Sequence, residues 1–268
     1  VGLIYYSIGY TAYTSTLDWD GVGPNAKPVG AENYTDMFSD PVFWECLQHT
    51  VVYFVGSFTV ITALGFLLAA MLHSKVFLPT IYKIIFFVPA VIAPATMAPV
   101  FRLFYSPKGM FNSFLSTIGL DWLTHPWLAD TKTALATIIV IHVWQGTGTT
   151  FILFYAAMSQ IEPDLLEAAR LDGAGNFRTL LHVVWPGVRG TTVALAMLSI
   201  IGALKTFDVP WLVALGGPSH ATEFLGTYIY RRGIQESHMG YSATLSIALL
   251  VLSVVCTVIV SRTNRRNS

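Results

Sequence analysis

His142, Gln145, Gly146 and Thr149 fall at relative positions 0, 3, 4 and 7 inside one apolar run, which places them on a single helical face. Ser199, Gly202, Ala203 and Thr206 repeat that spacing in a later apolar run. Polar side chains in such runs are costly and tend to face a cavity or a partner. Hydroxyls and an amide that both donate and accept suit a polyhydroxylated ligand. Trp144 and Phe207 are placed to pack on the apolar faces of sugar rings. A plainer alternative is that small residues let helices approach while Ser and Thr hydroxyls bond across them. Spacing leaves both open, and His142 by itself reads equally well as a hydrogen-bonded core residue. Lys205 and Asp208 either pair with each other or leave Lys205 to snorkel outward.

Between the two runs lies a polar, helix-prone segment, Glu167-Ala168-Ala169-Arg170-Leu171-Asp172-Gly173-Ala174. Pro163 suits the first position of a helix, where its missing N–H costs nothing. Asp164 and Glu167 sit near the positive end of the helix dipole. Gly173 is placed to end the helix in a left-handed turn. A second short helix is expected from Asn176, as N-cap, toward Pro186. Leu165, Leu166 and Ala169 supply an apolar side. The pattern so far fits either an interfacial amphipathic loop or a docking element.

Other chemistry is missing from the pattern. No G-x-x-x-x-G-K-[ST] run is present, so no phosphate-cradling loop is encoded. Nothing has metal-ligand spacing. The two cysteines, Cys46 and Cys256, stand far apart and read as packing residues.

The elements that must hold these residues are membrane helices. The chain is 54% hydrophobic and only 11% charged, against about 25% charged in a soluble domain. Six spans are expected, at 1–15, 47–73, 79–105, 134–158, 187–207 and 240–261. The third contains Pro89, Pro94 and Pro99 and should be kinked or broken, with neighbouring helices satisfying the freed backbone groups. Formal net charge is zero, which excludes a nucleic-acid footprint.

Lys75, Arg170, Arg178, Arg189, Arg262, Arg265 and Arg266 fall on one side. The other side carries Lys27, Lys108, Lys132, Arg231 and Arg232 among many acidic residues. That bias puts the 159–186 loop and the C-terminus in the cytoplasm, and an even span count puts the N-terminus there too. Arg102, Arg231 and Arg232 read as solvated outer charges, with contact to an external partner protein as the alternative. The segments 16–46, 106–133 and 208–239 should form short surface helices. The chain opens without Met inside the apolar run Val1–Tyr6, so a cytoplasmic stretch and the start of the first helix are expected to precede it.

The loop motif, followed by Val183-Val184-Trp185-Pro186, resembles the cytoplasmic EAA loop of bacterial ABC importer permeases. Other stretches agree in order: Gly30-Ala31-Glu32-Asn33-Tyr34, Phe43-Trp44, Trp127-Leu128-Ala129, Trp144-Gln145, Ile161-Glu162-Pro163, Gly216-Gly217-Pro218 and Gly240-Tyr241-Ser242-Ala243. The chain is similar to sugar permeases of the larger maltose-permease and glycerol-phosphate-permease type. Trp185, where that family usually has Leu, and Phe101-Arg102-Leu103-Phe104 depart from its pattern.

The resemblance implies an all-α polytopic permease of one domain, residues 1–268, in a bacterial inner membrane. It implies that Glu167, Ala168, Ala169, Arg170, Asp172, Gly173 and Ala174 dock in a groove on an ATPase subunit dimer, which binds ATP and Mg. No catalytic residue, metal or cofactor is then expected in this chain. A second permease subunit, an extracytoplasmic sugar-binding protein and a sugar complete the system. It also assigns the two polar stripes to the sugar path. A glycerol-phosphate or polyol importer is the nearest alternative, although Lys205 is the one cationic candidate for a cavity. An ion-coupled secondary transporter would call for an intramembrane carboxylate or inverted repeats, and neither is evident.

Overall fold

The computed structural model of the chain describes residues 2–73 and 77–267, apart from the side chains of 263–267. Lys75 and the Arg265 and Arg266 side chains, used above for orientation, lie outside the described residues. The chain forms two compact units.

One unit comprises Val55–Ala93 and Ile139–Ser199. It holds the later part of α3 (Pro41–His73), α4 (Pro79–Val91), most of α7 (Ala134–Met158), α8 (Pro163–Leu171), α9 (Asn176–Gly187) and most of α10 (Arg189–Leu204). Its core is Phe66, Phe151, Phe154, Met158, Val188 and Leu195. Trp185 meets the Phe66 ring edge-on at 4.9 Å, and Phe154 does so at 5.7 Å. Both are favoured ring geometries. The departure from Leu at position 185 thus adds an aromatic contact to this core. Gly148 lets two helices touch backbone to backbone. A Cβ there would stand 2.3 Å from the Phe86 carbonyl oxygen on α4.

The other unit comprises Val1–Phe54, Pro94–Ile138 and Ile200–Ser268. It holds α1 (Gly2–Thr14), a two-stranded antiparallel ladder pairing Leu17 with Pro28 and Asp18 with Lys27, α2 (Glu32–Ser39), α5 (Pro94–Phe104), α6 (Met110–Thr117), α11 (Asp208–Ala214), α12 (Leu225–Tyr230) and α13 (Met239–Asn267). Met37, Phe43, Cys46, Leu225, Tyr228, Tyr241 and Leu245 form its core. The expected short helices of the outer segments are α2, α6, α11 and α12.

The third span is broken, as its prolines require. α4 stops at Val91 and α5 starts at Pro94, which has no N–H to continue the ladder. Among the described residues, three helices are long and apolar enough to cross a membrane: Pro41–His73, Ala134–Met158 and Met239–Arg262. The count reaches up to five if α4 with α5, and α9 with α10, each make one span. α1 has 13 residues, about 20 Å of helix against a bilayer core of roughly 30 Å. The expected sixth span therefore rests on α1.

Candidate functional site

The 159–186 loop folds as its punctuation dictates. Pro163 occupies the first turn of α8, with Asp164 beside it and Arg170 in the last turn. Gly173 takes φ +77°, which an L side chain rarely adopts. This turn lets the Gly173 N–H reach the Arg170 carbonyl at 3.1 Å and the Ala174 N–H reach the Ala169 carbonyl at 2.9 Å. Those bonds satisfy carbonyls that a helix end leaves open.

Asn176 does not act as N-cap. Gly175 holds that place in extended backbone, and Asn176 is the first helical residue of α9. A π-turn over Leu180–Val184 follows. α9 and α10 then meet at 64°, with Val188 buried in the core at the bend. Gly187 sits against Ile161, where a Cβ would stand 3.2 Å from Ile161 Cδ1. The two ends of the loop are thereby held together.

Glu167, Ala168, Arg170, Asp172 and Gly173 are exposed, while Ala169 and Ala174 are half-buried. The expected apolar side is only partly covered: Leu166 is half-buried, whereas Leu165 is exposed. Leu171 and Phe177 are 88% and 74% exposed. The loop thus offers water a mixed face of charges and large apolar groups.

The α7 stripe has a structural duty. The Gln145 side-chain amide donates to the Ile92 carbonyl at 3.0 Å, at the break between α4 and α5. Gly146 faces α3, where a Cβ would stand 2.9 Å from Ile61 Cδ1. His142 is half-buried and Thr149 exposed. These four and the half-buried Ser199 belong to one compact unit; Gly202, Ala203 and Thr206 belong to the other. Gly202 is exposed and Ala203 buried. Thr206 donates to the Gly202 carbonyl at 3.0 Å, and its hydroxyl also meets that of Tyr53. Lys205 and Asp208 are both exposed, and Asp208 opens α11.

Two polar hubs were not foreseen. Asp40 accepts the Tyr228 hydroxyl at 2.6 Å, the Tyr241 hydroxyl at 2.7 Å and the Val42 N–H at 2.9 Å. Burial pushes its carboxyl up, but these hydrogen bonds, with Arg232 nearby, hold it below its ordinary value. Glu223, wholly buried, accepts Arg231 Nε at 2.9 Å. Arg231 also donates to the Leu215 carbonyl at 2.8 Å, and His220 Nδ1 lies 3.3 Å from the same carboxylate.

The reading of Arg231 and Arg232 as solvated charges is therefore corrected. Arg231 neutralises a buried acid. Arg232 binds Glu236 at 2.6 Å and lies over the Tyr241 ring, 4.8 Å from its centroid. Tyr228, Tyr241 and Arg231 all call for acceptors, but nothing in their spacing names Asp40 as the partner of the two tyrosines or Glu223 as that of Arg231.

Cys46 and Cys256 are free thiols. Among the described residues, no group of three His, Cys, Asp or Glu side chains could hold a metal.

A mostly helical membrane chain with broken helices and an exposed helix-turn-helix between two apolar helices has the build of a transporter's membrane component. The chain belongs to the family of binding-protein-dependent transport system inner membrane components, whose model matches residues 61–268. It is 32% identical over 254 residues to a probable ABC transporter permease protein, YurN, of Bacillus subtilis (strain 168), covering 94% of this chain and 87% of that one. It is 29% identical over 269 residues to the diacetylchitobiose uptake system permease protein NgcF of Streptomyces coelicolor, covering 96% and 76%. The fold is like that of a bacterial ABC transporter involved in the import of the acidic polysaccharide alginate. The TM-score there is 0.83 at 22% identity, covering 99% of this chain and 92% of that chain.

Proposed function

We propose that the chain, acting as one transmembrane permease domain, is a subunit of an ATP-driven carbohydrate importer in a bacterial inner membrane, with a disaccharide or oligosaccharide as solute. The exposed, Gly173-terminated helix α8 is the observation that carries this reading. A purely connecting loop has no need to present Glu167, Arg170 and Leu171 to water on a helix begun by Pro163 and closed by the Gly173 turn. Uptake of a sugar by a relative, as its name states, supports the solute class.

Six spans place both chain ends and α8 on the cytoplasmic side. There α8 enters a groove on a partner ATPase dimer, which holds ATP and Mg and performs the hydrolysis. Glu167 meets a basic group of that partner, and Ala168 and Ala169 permit close approach. Closure of the ATPase pushes α8, and the 64° bend at Val188 passes the push into α10. A second permease subunit forms the other half of the path, and an extracytoplasmic binding protein delivers the sugar. On α7, His142 and Thr149 are offered to the path, with Gln145 and Gly146 setting its shape; along α10 and just beyond it, Ser199, Gly202, Ala203 and Thr206 are a second, separate stretch offered to it.

Glu167→Ala tests the coupling. In reconstituted complex, uptake should fall at least tenfold, on the order of one lost charge-assisted contact, while the binding protein still holds sugar. Unaltered uptake would remove α8 from the mechanism.

A further inference from the structure

In the unit built on α12 and α13, a cavity of about 700 Å³ opens between those helices and the C-terminal part of α1. Its walls include the rings of Tyr10, Trp19, Phe207 and Tyr230 and the hydroxyls of Thr14 and Ser246. Its volume lies within the range of small-molecule sites.

One group in the wall calls for a ligand. Thr14 is only 4% exposed, and its hydroxyl has no hydrogen-bond partner within the protein. A buried hydroxyl is costly unless something bonds to it. The hydroxyls around it are already committed as donors. Ser242 donates to the Ile229 carbonyl at 2.9 Å and Ser246 to the Ser242 carbonyl at 2.9 Å. Each serine oxygen keeps lone pairs able to accept, so the wall offers acceptors from the serines and both functions from Thr14.

The rings are held in place. Trp19 Nε1 donates to the Gly23 carbonyl at 2.8 Å, which fixes the indole plane. Tyr230 packs edge-on against Phe207 at 5.7 Å and Trp211 at 4.9 Å. Flat apolar faces beside hydroxyls match a pyranose, which has apolar C–H faces and a polar rim. An acyl chain would cover the rings but leave Thr14 without a partner. None of the residues lining this cavity, all of them described, carries a formal charge. A uronate or phosphate buried here would go uncompensated.

We propose that this cavity is a glycosyl subsite for a neutral sugar unit, with Trp19 and Tyr230 as ring platforms and Thr14 as the hydrogen-bonding group. It deepens the carbohydrate reading and rests on it. It is separate from the α7 stripe, none of whose residues line it.

The test uses the importer purified with its partner subunits and binding protein, reconstituted in liposomes. Maltose, lactose and diacetylchitobiose serve as neutral probes and digalacturonate as the acidic one. At least one neutral probe should enter, and digalacturonate should neither enter nor compete. Thr14→Val should raise the apparent KM for the imported sugar roughly three- to tenfold, the size of one lost hydrogen bond, with kcat and Tm unchanged. Thr14→Ser should keep the wild-type KM. A diazirine derivative of the imported sugar should label the peptides containing Trp19 or Tyr230 in the wild-type complex.

An unchanged KM in Thr14→Val, or labelling confined to the α7 stripe, overturns the subsite while neutral-sugar uptake leaves the carbohydrate reading standing. Uptake of digalacturonate in preference to the neutral probes overturns the neutrality. A complex that moves none of these sugars but imports an amino acid or inorganic phosphate overturns the carbohydrate reading and the subsite with it. Should Thr14→Val fail to assemble, the labelling of the wild-type complex decides alone.

Discussion

Gln145 and Ile92 stand 53 positions apart, and the side-chain amide of one donates to the backbone carbonyl of the other at 3.0 Å. The bond answers a need created by sequence. Pro94 has no N–H, so the helix of α4 cannot run on into α5, and carbonyls at the break lose their usual partners. Gln145→Ala should therefore act first on stability. Leaving the Ile92 carbonyl unbonded costs about 1–3 kcal/mol, read as a lower midpoint in thermal unfolding of the detergent-solubilised complex. An unchanged midpoint with altered sugar preference would instead assign Gln145 to the ligand.

Gly173→Val tests the turn that closes α8. A side chain at φ +77° costs about 1–2 kcal/mol, and the bonds to Arg170 and Ala169 should open. The variant should fold, since Gly173 is exposed, but in the proposed complex that contains it the partner's ATPase activity should lose stimulation by the loaded binding protein. Normal stimulation would show that the end of α8 needs no fixed shape.

Asp40 gives a prediction in pH. Its carboxyl lies below the ordinary value of 3.8 in the folded chain, so the unfolded chain binds the proton more readily. The stabilisation is fully present above that value and is lost as pH falls below it toward the folded-state pKa. Asp40→Asn should abolish this acid-side loss, leaving stability between pH 5 and 8 lower but flatter on further acidification. Thermal unfolding of both forms from pH 3 to 7 measures it; parallel curves would deny Asp40 the role.

Arg231→Met should destabilise strongly. It strands Glu223, which is wholly buried, and an uncompensated buried charge costs about 3–5 kcal/mol. Adding Glu223→Gln to Arg231→Met should recover much of that loss. No recovery in the double variant, followed by thermal unfolding, would show that Arg231 acts through the Leu215 carbonyl alone.

Local signals read well. Pro163 and Gly173 bound α8 because one needs no N–H donor and the other tolerates positive φ, and both facts belong to single residues. Pro94 likewise announced its break. Partners across the fold did not read. The 3.6-residue period places Gln145 on a face of α7 but carries no information on what lies opposite, and what lies opposite is Ile92. Arg231 and Glu223 sit eight apart at the two ends of α12, too far along a regular helix axis for the period alone to pair them. Asn176 misled because a favourable capping side chain stands next to Gly175, whose extended backbone took the cap position.

The exposed Leu171 and Phe177 carry a cost in the cell. Under the docking proposed for α8, the chain without its partner shows quality-control proteases two large greasy side chains. On that reading, the half-life of this subunit should follow the supply of its partners rather than its own fold, and chain made in excess of them should be degraded.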